Sequence, residues 1–181
     1  MKKEIRICGF GGQGVILAGF IIGKAASVFM DYQAVQSQSY GPEARGGAAR
    51  SEIIVSDEKI GYPRPLSVDC LVAMSQESFD TYRDDIRDDT IIIVDPDLVK
   101  KHDIGRPLYK VHGQQIAEDL GNKIVTNIVM VGGFTSIFKL LKPEAVKESV
   151  IDSVPKRFTD LNVKAFERGL EAGKNALKEL Q

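Results

Sequence analysis

A strand that runs straight into a glycine cluster and on into an apolar helix admits few folds, and residues 4–19 (EIRICGFGGQGVILAG) have this form. Gly9, Gly11 and Gly14 match the G-x-G-x-x-G spacing of a phosphate-cradling strand–turn–helix unit. Glycine serves such a turn in three ways. It permits the tight bend, lets a ligand approach the backbone, and lets the helix pack closely on the strand. The unpaired N–H groups at the helix start then form an anion site. On these residues alone the turn suits a dinucleotide, another anionic ligand, or a neighbouring loop packed against it.

The rest of the chain alternates. Residues 15–30 make one apolar helix broken by a single charge, Lys24. A helix apolar on every side is buried against more than its own sheet, which hints at a partner surface. Residues 5–9, 33–38 and 51–55 read as strands. So do 69–74 and 91–94, whose continuous apolar character marks central strands covered on both faces. Asp95-Pro96-Asp97 stops the last of these, and 107–111 forms a further short strand.

Beyond Gly113 the pattern turns helical. Residues 114–120 end at Gly121. Residues 127–141, capped by Thr126 or Asn127, carry Gly132-Gly133 where another backbone comes close. Residues 143–154 have Pro143 in their first turn, and 160–180 form a charged amphipathic helix. The expected fold class is α/β: a single Rossmann-like, doubly wound, mostly parallel sheet with a helical C-terminal third, in one domain over residues 1–181.

Charge and cysteine usage exclude several functions. With 24 basic and 25 acidic residues the net charge is −1, so no global field favours nucleic acid or a membrane surface. Cys8 and Cys70 both fall in strand-like runs and read as buried, reduced thiols. Two thiols cannot ligate a four-cysteine iron–sulfur cluster or zinc site. No uncharged apolar run reaches about 18 residues and no signal peptide precedes the first strand, so the expected location is cytoplasmic. His102 and His112 read as surface or helix-start residues, Ser75 as the cap of a following helix, and residues 83–89 as a solvated connection.

A nicotinamide-binding unit carries an acidic residue at the end of its second strand, about 20 residues beyond the glycines. Asp31 stands before that strand, which ends in Gln36-Ser37-Gln38-Ser39-Tyr40, polar and uncharged. This counts against a nicotinamide cofactor. The next segment, SYGPEARGGAAR at 39–50, brackets Glu43 and Arg45 between Gly41-Pro42 and Gly46-Gly47. An ordinary solvated turn needs no such bracket, so the segment reads as a binding loop. An arginine held there suits a carboxylate, a phosphate, or a partner's acidic side chain.

Together, G-F-G-G-Q-G-V-I-L-A-G and Q-S-Y-G-P-E-A-R-G-G resemble the gamma subunit of the 2-oxoacid:ferredoxin oxidoreductases, most nearly the 2-oxoglutarate branch. The resemblance extends through Ser56-Asp57, Ala73-Met74-Ser75-Gln76, Asn127 to Gly132, and Ala165 to Gly169. It implies a subunit, inactive alone, of a complex that oxidatively decarboxylates 2-oxoglutarate to succinyl-CoA with ferredoxin as electron acceptor. Thiamine diphosphate, Mg2+ and iron–sulfur clusters would lie in companion subunits: thiamine-binding alpha and beta chains and a ferredoxin-like delta chain. The gamma chain would contribute to the coenzyme A site and to assembly. By this resemblance Gly11, Gly12, Gln13 and Gly14 form a turn facing the shared active-site region. Tyr40, Pro42, Glu43 and Arg45 form the loop beside it, touching coenzyme A or a neighbouring subunit. No catalytic residue or metal ligand is expected in the chain itself. A pyruvate, branched-chain or indolepyruvate enzyme is the alternative within the family. A free-standing NAD(P)-dependent dehydrogenase is the alternative of another class.

Overall fold

The computed structural model describes residues 1–40 and 48–180, with Tyr40 and Ala48 described in their backbone only. The strand entering the glycine cluster, β1 (Lys2–Phe10), lies inside a six-stranded sheet of order β2-β3-β1-β4-β5-β6. The others are β2 (Gln33–Tyr40), β3 (Ala48–Ser56), β4 (Cys70–Ala73), β5 (Ile91–Val94) and β6 (Tyr109–Lys110). β1, β4, β5 and β6 pair in parallel, whereas β3 is antiparallel to both β1 and β2. Helix α1 (Val15–Phe29) carries the chain from β1 to β2, two positions away, and β3 returns as a hairpin into the gap. The sheet is therefore mostly parallel, as expected, with one reversed strand.

Side chains alternate across each strand. Ile5, Ile7, Ile53, Val55 and Val72 face a thick helical layer made of α1, α4 (Thr126–Phe138), α5 (Pro143–Ser153) and α6 (Thr159–Glu179). Cys8, Leu71, Ala73, Ile92 and Val94 face a thinner layer around Phe79 of α2 (Gln76–Tyr82). Both cysteines are fully buried, and burial pushes the Cys8 thiol up to about 12 and raises that of Cys70 as well. Such thiols are inert packing groups.

The glycines at 132–133 do mark a close backbone contact, and its partner is α6. A Cβ on Gly132 would overlap the Phe166 carbonyl, and one on Gly169 the Val129 carbonyl, so α4 and α6 pack backbone to backbone. Helix α1 buries Ile21, Ile22 and Ala25 but leaves Phe20 and Val28 47% and 63% exposed. Among the described residues no helix is long and apolar enough to cross a membrane.

Residues 83–89 are the solvated connection expected, with Asp84, Asp85 and Arg87 to Asp89 exposed, and the fold also ties the segment down. The buried Arg6 guanidinium donates to Glu52 at 2.9 Å and to Asp85 at 3.1 Å, and Arg87 donates to Asp69 at 3.0 Å. Arg106 donates to the carbonyls of Arg87, Asp88 and Thr90. The partners come from distant strands and loops, which local charge alternation cannot reveal.

Candidate functional site

Open α/β sheets bind ligands at the carboxyl ends of their parallel strands. Here that edge holds the glycine turn, and Gln13 braces it. Its side-chain oxygen accepts from the Phe10 N–H at 2.6 Å, and its Nε2 donates to the Met74 carbonyl at 2.9 Å, just beyond β4. Both ends of the carboxamide are thus engaged inside the turn. Gly14 caps α1 in the left-handed region at φ 72°, where an L side chain would be strained and would also collide with Asn127. The Asn127 Nδ2 donates to the Gly14 carbonyl at 3.1 Å, which also accepts from the Ala18 N–H at 2.9 Å.

The N–H groups of Val15, Ile16 and Leu17 have no acceptor within the helix. No acidic residue lies in the first turn of α1, so the positive end of its dipole is not neutralised from within. Two clefts flank this point. The smaller, about 230 Å³, is lined by Gly12, Gln13, Leu98, Gln114, Lys123 and Thr126. The larger, about 370 Å³, is more apolar and runs past Gly14, Leu17, Asn127, Val154 and Phe158. Ile124, 74% exposed, lines both. Lys123 Nζ lies 2.9 Å from Glu118.

A buried polar stack supports the smaller cleft. Asp95, fully buried beyond β5, accepts from the Asp97 N–H at 3.0 Å and the Gln114 N–H at 2.8 Å, fastening the start of α3 (Gly113–Asp119). Burial pushes its carboxyl up to about 6, opposed by those two hydrogen bonds. Asp97 lies 3.0 Å from His112 Nδ1 and accepts from the Gln115 N–H at 3.3 Å. His112 stands at a helix start as expected, with a carboxylate partner its sequence neighbours did not reveal. His102 Nδ1 lies 2.7 Å from the Val99 carbonyl.

The structure brings Gly11, Gly12, Gln13 and Gly14 together in the turn. Pro42, Glu43 and Arg45 lie outside the described residues, as does the side chain of Tyr40. The strand ends that flank them lie at the turn's own edge: Tyr40 pairs with Ala49, and Ala48 with Phe10. Ser75 caps α2 as expected, accepting from the Ser78 N–H at 3.2 Å. Thr126 and Asn127 do not cap α4. Val125 holds the cap position, the Thr126 hydroxyl donates to the Lys123 carbonyl at 2.7 Å, and Asn127 reaches across to the turn. Asn127, Lys123 and Gln114 line the two clefts beside the turn, and the residue-by-residue reading did not single them out for it. Only Asn127 had a signal, the Asn127-to-Gly132 pattern. Backbone N–H groups, carboxamides and one lysine suit an anionic, amide-bearing ligand. They provide no ligand set for a metal ion or an iron–sulfur cluster.

Residues 4–172 match the family model described as pyruvate ferredoxin/flavodoxin oxidoreductase. The chain is 46% identical over 178 residues to the 2-oxoglutarate synthase subunit KorC of Methanocaldococcus jannaschii, covering 96% of this chain and 95% of that protein. The crystal structure of a keto/oxoacid ferredoxin oxidoreductase gamma subunit from Geobacter sulfurreducens superposes with a TM-score of 0.88 at 40% identity, covering 97% and 98% of the two chains. The same fold recurs in the 2-oxoglutarate:ferredoxin oxidoreductase of Magnetococcus marinus, solved with 2-oxoglutarate, coenzyme A and succinyl-CoA bound. There the TM-score is 0.81 at 22% identity, over 96% of this chain and 31% of the other. The chain belongs to the pyruvate ferredoxin/flavodoxin oxidoreductase family, among its 2-oxoacid:ferredoxin oxidoreductase gamma chains.

Proposed function

We propose that this chain is the gamma subunit of a complex that oxidatively decarboxylates 2-oxoglutarate to succinyl-CoA, with ferredoxin as electron acceptor, and that its own task is to help bind coenzyme A and hold the complex together. The observation that carries this reading is a convergence at one sheet edge. The unneutralised start of α1, the braced glycine turn and two clefts of about 230 and 370 Å³ all meet there. The choice of 2-oxoglutarate rests on the likeness to KorC.

Coenzyme A offers groups that match. Its pyrophosphate and ribose phosphate suit free backbone N–H groups and an arginine such as Arg45. Its pantetheine N–H groups suit the carboxamide oxygens of Asn127 and Gln114, whose amide nitrogens donate to the Gly14 carbonyl and to Glu118. Gln13 acts by bracing the turn, and Tyr40, Pro42, Glu43 and Arg45 act as the adjoining contact with coenzyme A or a neighbouring subunit. Thiamine diphosphate and Mg2+ in the alpha and beta chains supply the carbanion-stabilising centre, and iron–sulfur clusters in those chains and a ferredoxin-like delta chain carry the electrons. The protein acts in the cytoplasm.

Purification of the native complex, with its partners identified and several 2-oxoacids assayed, tests the assignment. Highest kcat/KM with 2-oxoglutarate is expected, and preference for pyruvate, a branched-chain oxoacid or indolepyruvate would move the chain to a sister enzyme. The isolated chain should reduce no ferredoxin; reduction by it alone would overturn the accessory role. In the complex, Arg45→Ala should raise the KM for coenzyme A about tenfold, as loss of one charge-assisted contact implies, or weaken assembly. Unchanged KM together with unchanged assembly would remove Arg45 from the site.

A further inference from the structure

Helix α1 leaves the glycine turn and ends at the opposite edge of the sheet, where the Lys142 N–H lies 3.3 Å from Met30 Sδ. A cleft of about 780 Å³ opens there, with Met30, Leu140 and Leu177 on its apolar floor. Its rim carries Lys139, Lys142, Lys174 and Lys178, all exposed and drawn from two separate parts of the chain. We propose that this cleft seats an acidic amphipathic helix of a partner subunit. The proposal rests on the reading of the chain as one subunit of a complex.

Charge complementarity selects the occupant. Among the described residues none of the four rim lysines forms an ion pair. Elsewhere in the same helical layer Lys24 pairs with Asp152 and Lys147 with Glu167, each at 2.7 Å, whereas Lys164 on α6 forms no ion pair among the described residues and does not line the cleft. The chain as a whole has a net charge of −1, so the concentration is local. A ligand for this surface must be apolar on one side and anionic along its flanks. A helix with apolar anchors at i, i+3 or i+4, and i+7, flanked by Asp or Glu, has that form. Lys174 and Lys178 lie about one helical turn apart on α6, the repeat at which such a partner presents its carboxylates. A free phosphate or small carboxylate would satisfy the rim and leave the floor exposed to water.

The test uses the full chain assembled with the companion subunits of its complex. Lysine acetylation read by mass spectrometry should show Lys139, Lys142, Lys174 and Lys178 protected at least tenfold on assembly, while Lys59 and Lys164 keep their free-chain rates. Carbodiimide coupling should join Lys174 or Lys178 to Asp or Glu residues of one partner segment with apolar residues at helical spacing. The triple variant K142E/K174E/K178E should melt as wild type does, yet assemble at least tenfold more weakly. Equal labelling in free chain and complex would overturn the proposal, as would unchanged assembly of a folded triple variant. Protection that arises in the purified chain alone, rising with its concentration, would assign the cleft to a second copy and overturn it too. If the triple variant fails to fold, the acetylation pattern of the wild type decides. If the wild-type chain forms no complex at all, the subunit reading falls first and the proposal with it.

Discussion

The two ends of the sheet are built on opposite plans. At the carboxyl end polar side chains brace the fold and leave the first backbone N–H groups of α1 open: Gln13 and Asn127 hold the glycine turn, and Asp95 fastens α3. At the amino end, around the 780 Å³ cleft, the rim lysines are left without ion pairs among the described residues. A braced end keeps one shape and suits a ligand with fixed geometry. An end made of long, free cations adapts its shape and recognises charge, and it draws a partner in over a distance set by salt.

If that contrast is right, substitutions at the two ends should separate in size. The largest effect belongs to Gly14→Ala, which forces a side chain into positive φ and against Asn127. It should cost about 3 kcal/mol, summing backbone strain and overpacking, and appear in urea denaturation as a lower midpoint with an unchanged slope. A loss below about 1 kcal/mol would mean that the turn is not braced.

The next effect depends on pH. The Asp95 carboxyl is raised to about 6 in the folded protein, so its contribution to stability is greatest below the unfolded-state value and is lost as pH rises through 6. Between pH 7 and pH 5 the wild type should therefore gain about 1.4 kcal/mol relative to Asp95→Asn, which does not titrate there. A wild-type-minus-variant difference that stays flat over this range would show that Asp95 is solvated like an ordinary carboxylate.

The smallest effect is expected at the amino end. Lys174→Ala and Lys178→Ala should each change the stability of the free chain by less than about 0.5 kcal/mol, because both side chains are exposed and neither forms an ion pair among the described residues. A larger loss would reveal a structural role and erase the contrast between the ends.

What could be read in the sequence was what is local. The β1–turn–α1 unit lies within 28 consecutive residues, Lys2 to Phe29, so its glycine spacing and apolar helix announce it directly. Ser75, one residue before α2, could likewise be recognised as a cap. The reversal of β3 could not, because S-E-I-I-V carries no sign of its direction. The Asn127 contact spans 113 positions and the Asp95–Gln114 bond 19, so each depends on how the layers meet. Gly132-Gly133 lies between these cases: the need for a close neighbour was visible, but not that the neighbour would be α6. The lysine rim was hidden for the same reason, since two segments of unremarkable charge share a cleft only after folding.

The reversed strand has an evolutionary consequence. Because β3 runs back beside β2, the last pairs of these strands, Tyr40 with Ala49 and Ala48 with Phe10, lie at the edge that carries the turn. A connection between two paired strand ends can change length without shifting their register, since doubling its length costs only about 0.6 kcal/mol in closure entropy. A related chain can therefore vary at this junction while keeping the rest of the scaffold.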